Sequence, residues 1–120
     1  MDFKTQIGQM DRTRFTPGHN DTVLAQAIFG PQAAREFMDV LAYDPCWAML
    51  NPGMTLEAHH HPNPEFYVFV SGDGVMTLNG EAFDVHNGMA VNIPPDVVHQ
   101  VANSASAIQP LIWVSVALKV

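Results

Sequence analysis

The sequence predicts an all-β protein, a sandwich or barrel of short strands, and three observations carry that reading. From Met54 onward the chain is a succession of apolar or alternating runs, each four to eight residues long. Such lengths suit strands and are short for helices. The runs are cut by Gly, Pro and Asn, and Asn79-Gly80 between two of them is the strongest short-range hairpin signal. The whole chain is 120 residues with 48% apolar residues, which is one domain's worth and enough for one core without staples.

The elements follow in order. Thr22–Phe29 reads as an edge strand. Pro31–Ala42 has Pro31 at a first helical position and Ala34, Phe37, Met38 and Leu41 at helical spacing. Within it, Glu36–Ala42 is equally compatible with a strand. Cys46–Leu50 is a strand that stops at Asn51-Pro52-Gly53. The remaining strands are Met54–His61, Glu65–Ser71, Val75–Leu78, Ala82–Val85, Met89–Ile93, Val97–Ala102 and Leu111–Leu118. Gly72-Asp73-Gly74 and His86-Asn87-Gly88 supply turns, and Pro94-Pro95-Asp96 ends the strand before it, because proline cannot donate to a central ladder. No repeat or low-complexity tract marks a second domain, so residues 1–120 read as one domain with a barrel core at about 46–118.

Composition narrows the partners. Twelve acidic residues against five Lys and Arg give a net charge of −7. That field repels phosphate backbones and anionic membranes, so neither nucleic acid nor a membrane is an expected partner. Cys46 is the sole cysteine and excludes both an intrachain disulfide and a thiolate metal cage. Residues 1–10 lack the apolar run of a secretory signal, and no stretch approaches a membrane span. A cytoplasmic location is the expectation.

The chemistry lies in the histidines. His59 and His61 are two apart, so on a strand both rings leave one face while His60 leaves the other. Pro62-Asn63-Pro64 turns the chain and sets Glu65 beside His61. Two imidazoles and a carboxylate thus converge in one hairpin, as the facial positions of a metal require. His99 follows the Pro94-Pro95-Asp96 turn, where a closed barrel can fold it over the first three. Imidazole suits Fe, Ni, Cu and Zn, and a carboxylate extends the choice to Mn.

These residues fall into two motifs. The first reads Gly53, five residues, His59-His60-His61, three residues, Glu65, six residues, Gly72. The second reads Gly88, five residues, Pro94-Pro95-Asp96, two residues, His99, three residues, Asn103. In this the chain resembles the cupin superfamily, whose fixed positions it matches throughout except that Asp96 stands where the pattern has Gly. Asp is among the few other residues that tolerate a left-handed turn. The resemblance implies a jelly-roll β-barrel holding one divalent transition-metal ion (Fe, Mn, Zn or Ni) through His59, His61, Glu65 and His99. It also implies a small-molecule substrate or ligand and a homodimer.

Beside the ligands, Tyr67 and Phe69 share strand parity with Glu65 and are expected to face the barrel interior. Tyr67 is the candidate catalytic acid/base, against an equal case for a core tyrosine. Glu57 and Asn103, in parity with His59 and His99, are candidates to flank the site. His60 is expected on the surface, and His19 and His86, in turn-like segments, carry no expected role. Leu111–Leu118 is largely apolar on both faces, which suggests core on one side and pocket or subunit interface on the other. A cupin hosts many chemistries. The expected function is a metal-dependent enzyme on a small oxygen-bearing organic substrate, with redox-neutral isomerase or lyase chemistry favoured. An iron-dependent dioxygenase and a non-catalytic ligand-binding module are the alternatives.

Overall fold

The structure is a computed structural model and describes residues 2–120. Its strands are β1 (Thr16–Gly18), β2 (Val23–Ala27), β3 (Cys46–Leu50), β4 (Thr55–His59), β5 (Glu65–Ser71), β6 (Asp73–Leu78), β7 (Glu81–His86), β8 (Ala90–Ile93), β9 (His99–Ala102) and β10 (Leu111–Ala117). One α-helix, α1 (Glu36–Leu41), lies between β2 and β3, and two short 3-10 turns, Phe3–Gln6 and Arg12–Arg14, precede β1. The strands form two sheets in the orders β1-β2-β3-β10-β5-β8 and β4-β9-β6-β7, all pairings antiparallel. This is the jelly-roll barrel expected. The core between the sheets gathers Leu50, Leu56, Phe69, Met76, Val101, Leu111 and Trp113, all essentially buried. Burying each such side chain contributes roughly 1.5–3 kcal/mol.

The punctuation read from the sequence works as turn chemistry. Asn79 and Gly80 both take positive φ (46° and 85°) and join β6 to β7 with Leu78 opposite Glu81. Asp96 takes φ 61°, the left-handed conformation its place in the second motif requires, and its N–H donates to the His61 carbonyl (2.8 Å). Gly72 is irreplaceable for a different reason: at φ 84° a Cβ would also collide with the Pro110 carbonyl.

Two expectations for the first half need correction. The strand read at Thr22–Phe29 is not an edge. β2 lies between β1 and β3, and the edge is the three-residue β1. Pro17 within β1 reads as loop composition, yet an edge strand tolerates a residue without an N–H. The helical segment shortens to six residues, and its apolar residues are not core: Phe37, Val40 and Leu41 are 86%, 69% and 65% exposed. A helix this short has little intrinsic stability. It is held by the Arg35–Asp39 ion pair along it (3.0 Å) and from outside by the Arg35–Asp44 pair and by the Lys119 N–H donating to the Leu41 carbonyl (2.8 Å). Among the described residues no helix is long and apolar enough to cross a membrane.

Candidate metal centre

The four ligand candidates come from three strands and a hairpin turn. His59 ends β4, His61 follows it in the turn, Glu65 opens β5 and His99 opens β9. β9 pairs with β4, so His59 sits directly opposite His99. One ligand atom from each of the four residues falls within 4.8 Å of the others. Glu65 Oε1 is 3.3 Å from both His61 Nε2 and His99 Nε2.

β4 reaches this register through a bulge. Leu56 faces Val101 and His59 faces His99, so three steps on β4 match two on β9. The bulge breaks the alternation that placed Glu57 on the face of His59. Leu56 goes to the core, and Glu57 serves by its backbone: its carbonyl accepts the His59 Nδ1–H (2.8 Å). Its carboxylate instead accepts from Asn20 Nδ2 (2.9 Å). Asn103 also lies off the site. Its amide donates to the Leu50 and Gln109 carbonyls (3.0 and 3.1 Å) and locks the loop ahead of β10.

The hydrogen bonds determine which ring nitrogens are free. His59, His61 and His99 each place Nδ1 against a backbone carbonyl, those of Glu57, Asn63 and Val97, at 2.8, 2.7 and 2.8 Å. A carbonyl only accepts, so in the neutral ring Nδ1 carries the proton and Nε2 the lone pair. The lone pairs of His61 and His99 then meet a carboxylate oxygen at 3.3 Å with no proton between them. His99 Nε2 is completely buried and has no hydrogen-bond partner. An orphaned buried nitrogen costs about 1–3 kcal/mol. A cation at the centre removes that cost and relieves the facing lone pairs. Adjacent ligands on an ion with ~2.1 Å bonds lie about 3.0–3.4 Å apart, as Glu65 Oε1 does from the Nε2 atoms of His61 and His99. The residues present therefore fit a divalent metal.

Behind the cluster the wall is buried. Glu65 Oε2 accepts from Ser115 Oγ (2.9 Å) on β10, a lone hydroxyl in an apolar strand and the signal that marks it. Burial raises the Glu65 pKa, but the neighbouring His99, Ser115 and His61 side chains outweigh it, leaving the carboxyl below its ordinary value. Burial above all lowers His59. Tyr67 is 3% exposed, its ring 6.2 Å from that of His99 and 5.3 Å from that of Trp113. Burial, then the Glu65 charge, pushes its phenol well above the ordinary value. Burial likewise pushes the Cys46 thiol up to about 11. A cavity of about 170 Å³ runs along this wall, lined among others by Glu65, Tyr67, Cys46, Ser115, Trp113 and His19. His60 is on the surface as expected, 3.6 Å from Asp96. His86 stays exposed on its turn. His19 does not stay apart: its ring centroid is 4.2 Å from that of His59. Only the closed fold brings together residues forty positions apart, so strand parity could not show it.

The family model for the cupin domain matches residues 46–117. The chain belongs to the cupin family. The dimethylsulfoniopropionate lyase DddW of Ruegeria pomeroyi is 38% identical to this cupin over 52 residues, 43% of the chain and 34% of that protein. The chain thus matches only about a third of that relative's length. Among solved structures, a cupin 2 conserved barrel domain protein from Salinispora arenicola superposes with a TM-score of 0.77 at 21% identity, covering 94% of this chain and 87% of that one. A predicted oxalate decarboxylase from Thermotoga maritima gives 0.73 at 20%, covering 93% and 99%. At these identities the two structures establish the fold alone.

Proposed function

We propose that this cupin is a metal-dependent enzyme of redox-neutral, lyase type acting on a small oxygen-bearing acid. His59, His61, Glu65 and His99 hold one divalent transition-metal ion, and Tyr67 is the acid/base. The observation that carries the reading is the set of three imidazoles, each with Nδ1–H committed to the backbone, clustered with Glu65, whose Oε1 faces the Nε2 of both His61 and His99. The lyase relative supports elimination as the first reaction to test.

A bound divalent ion would polarise a substrate oxygen and, as a nearby positive charge, favour ionisation of Tyr67. The protein does the rest. The cavity wall of Trp113, Leu56, Val23 and Ala48 excludes water and holds the substrate's apolar part. Once Tyr67 has given its own proton to solvent, its phenolate Oη takes the proton from the carbon next to the substrate carboxyl. As that C–H bond breaks, its electron pair becomes the new C=C bond, and the leaving group departs with the pair of its own bond. No oxidant is needed. Tyr67 then returns the proton to solvent or to the leaving group.

A second reading has one observation in its favour. Tyr67 is packed into an aromatic cluster with Phe69 and Trp113, at ring separations of 6.2 and 5.3 Å, as a purely structural tyrosine would be. That fits a module that binds a small ligand without turnover. Assay of metal-loaded protein against dimethylsulfoniopropionate and a panel of small hydroxy, keto and enol acids, with and without oxygen, separates the readings. Elimination that persists under argon supports the proposal, and turnover that stops there identifies an iron-dependent dioxygenase. Tyr67→Phe is expected to lower the rate at least a hundredfold with metal retained. An unchanged rate returns Tyr67 to the core.

The exposed Phe37, Val40 and Leu41 of α1 are apolar surface that a homodimer would cover, and we propose a two-fold dimer in the cytoplasm. Light scattering at micromolar concentration tests it, and a monomer's mass counts against it.

A further inference from the structure

The turn between β1 and β2 does more than reverse the chain. His19, Asn20 and Asp21 have φ of 48°, 55° and 63°, three consecutive non-glycine residues in the left-handed region. Such conformations cost energy at each position and persist only where the surroundings impose them. Here the surroundings are β4. Thr22 Oγ1 accepts the Glu57 N–H (3.0 Å) and donates to the His19 carbonyl (2.7 Å), while Asn20 Nδ2 donates to Glu57 Oε1 (2.9 Å). The turn is therefore stitched to the bulge beside His59. The stitching delivers the His19 ring to the His59 ring, 4.2 Å between centroids at an angle of 34°.

His19 is exposed, so it occupies the rim of the cavity and not its floor. It is not one of the four clustered donors, and its ring nitrogens make no hydrogen bond to the described residues, unlike those of His59, His61 and His99. The cavity has no Lys or Arg in its lining. Its polar side chains inside the rim are Glu65 and three groups, Cys46, Tyr67 and Ser115, of which Ser115 already donates to Glu65. At about 170 Å³ the space compares with the ~150 Å³ that holds a benzene-sized molecule. A small acid of about six non-hydrogen atoms fits it between Glu65 and the rim.

We propose that His19 is a substrate-binding residue, donating an imidazole N–H from the rim of the cavity to the carboxylate of a small acid bound at the metal centre. This rests on the reading of the site as an enzyme for small acids. The role needs no charge on the ring, since neutral imidazole always carries one N–H. It gives the turn its purpose: the left-handed backbone, its two bonds to Glu57 of β4 and the Thr22–His19 bond within it hold an imidazole donor at the rim.

The test uses two variants that respect the turn. His19→Gly accepts positive φ without strain and removes the ring, and His19→Asn keeps a residue tolerant of that conformation. Metal-loaded wild type and variants are titrated with propionate by calorimetry, and metal content and Tm are measured on the same samples. The expected result is at least tenfold weaker propionate binding in both variants, with metal content and Tm unchanged. Wild-type affinity in the variants overturns the proposal. Weaker binding that comes with lost metal also overturns it, because His19 would then act only as a prop for His59. A wild type that takes up metal but does not bind propionate overturns the small-acid reading along with the His19 role. A wild type that takes up no metal breaks the metal centre itself.

Discussion

The ligand cluster has a back wall and a rim, and the two differ in nearly every physical respect. Glu65 and His99 open strands in facing sheets and are 8% and 0% exposed, surrounded by Tyr67, Ser115 and the core. His59 and His61 occupy the bulged end of β4 and the turn beyond it, half-buried, with the β1–β2 turn laid against them. The wall is fixed by packing and the rim by backbone hydrogen bonds. Wall residues should therefore couple metal binding to folding, while rim residues should govern metal and substrate with little effect on the fold.

The sharpest way to break this division is to truncate one histidine of each kind. His99→Ala should abolish metal binding and also destabilise the metal-free protein by about 2 kcal/mol, since it opens a void among residues that cannot collapse freely. His61→Ala should leave metal-free stability within about 1 kcal/mol of wild type while weakening metal binding by about a hundredfold or more. Urea unfolding in chelator, with metal titrations alongside, measures both quantities. Equal destabilisation by the two variants would abolish the distinction between wall and rim.

A smaller effect probes the wall alone. Ser115 Oγ donates to the Glu65 oxygen that does not face His61 and His99, which fixes the carboxylate's orientation. Ser115→Ala should weaken metal binding by about tenfold, the lower range for partners that orient a ligand. Unaltered affinity would mean that strand geometry alone aims Glu65.

The wall was the more legible half in the sequence, for a physical reason. Residues on regular strands obey a two-residue period, so Glu65, Tyr67 and Phe69 could be assigned to one face, and all three are buried. Turns enforced by local chemistry were legible too, with Asp96 adopting the positive φ its position demands. The rim depends on features with no local signature. No Gly or Pro marks the bulge between Leu56 and His59, so counting parity put Glu57 on the wrong face. His19 reaches His59 through long-range stitching to Glu57. The apolar residues of α1 had helical spacing, yet spacing reports an apolar face and not what covers it.

The smallest expected effect concerns protons at the rim. Burial holds the His59 pKa below its ordinary 6.5, with the neighbouring His99 and His19 rings adding to the depression and the Glu57 carbonyl opposing it. The folded chain thus prefers neutral His59, while the unfolded chain takes up a proton near pH 6.5. Since the unfolded state binds more protons in that range, this residue's contribution to stability is present above about pH 6.5. It is lost as pH falls from there through the folded pKa. The ring is half-exposed, so solvent screening keeps the effect modest. Metal-free protein in chelator should lose urea resistance between pH 7.5 and pH 5, and His59→Gln, which cannot titrate, should lose less over the same range. With metal bound the acid sensitivity should steepen, because a proton on any of the three Nε2 atoms competes with the ion. Identical pH profiles for wild type and His59→Gln in chelator would show that the rim is open enough for His59 to titrate as in water. The half-buried rim would then have no energetic counterpart.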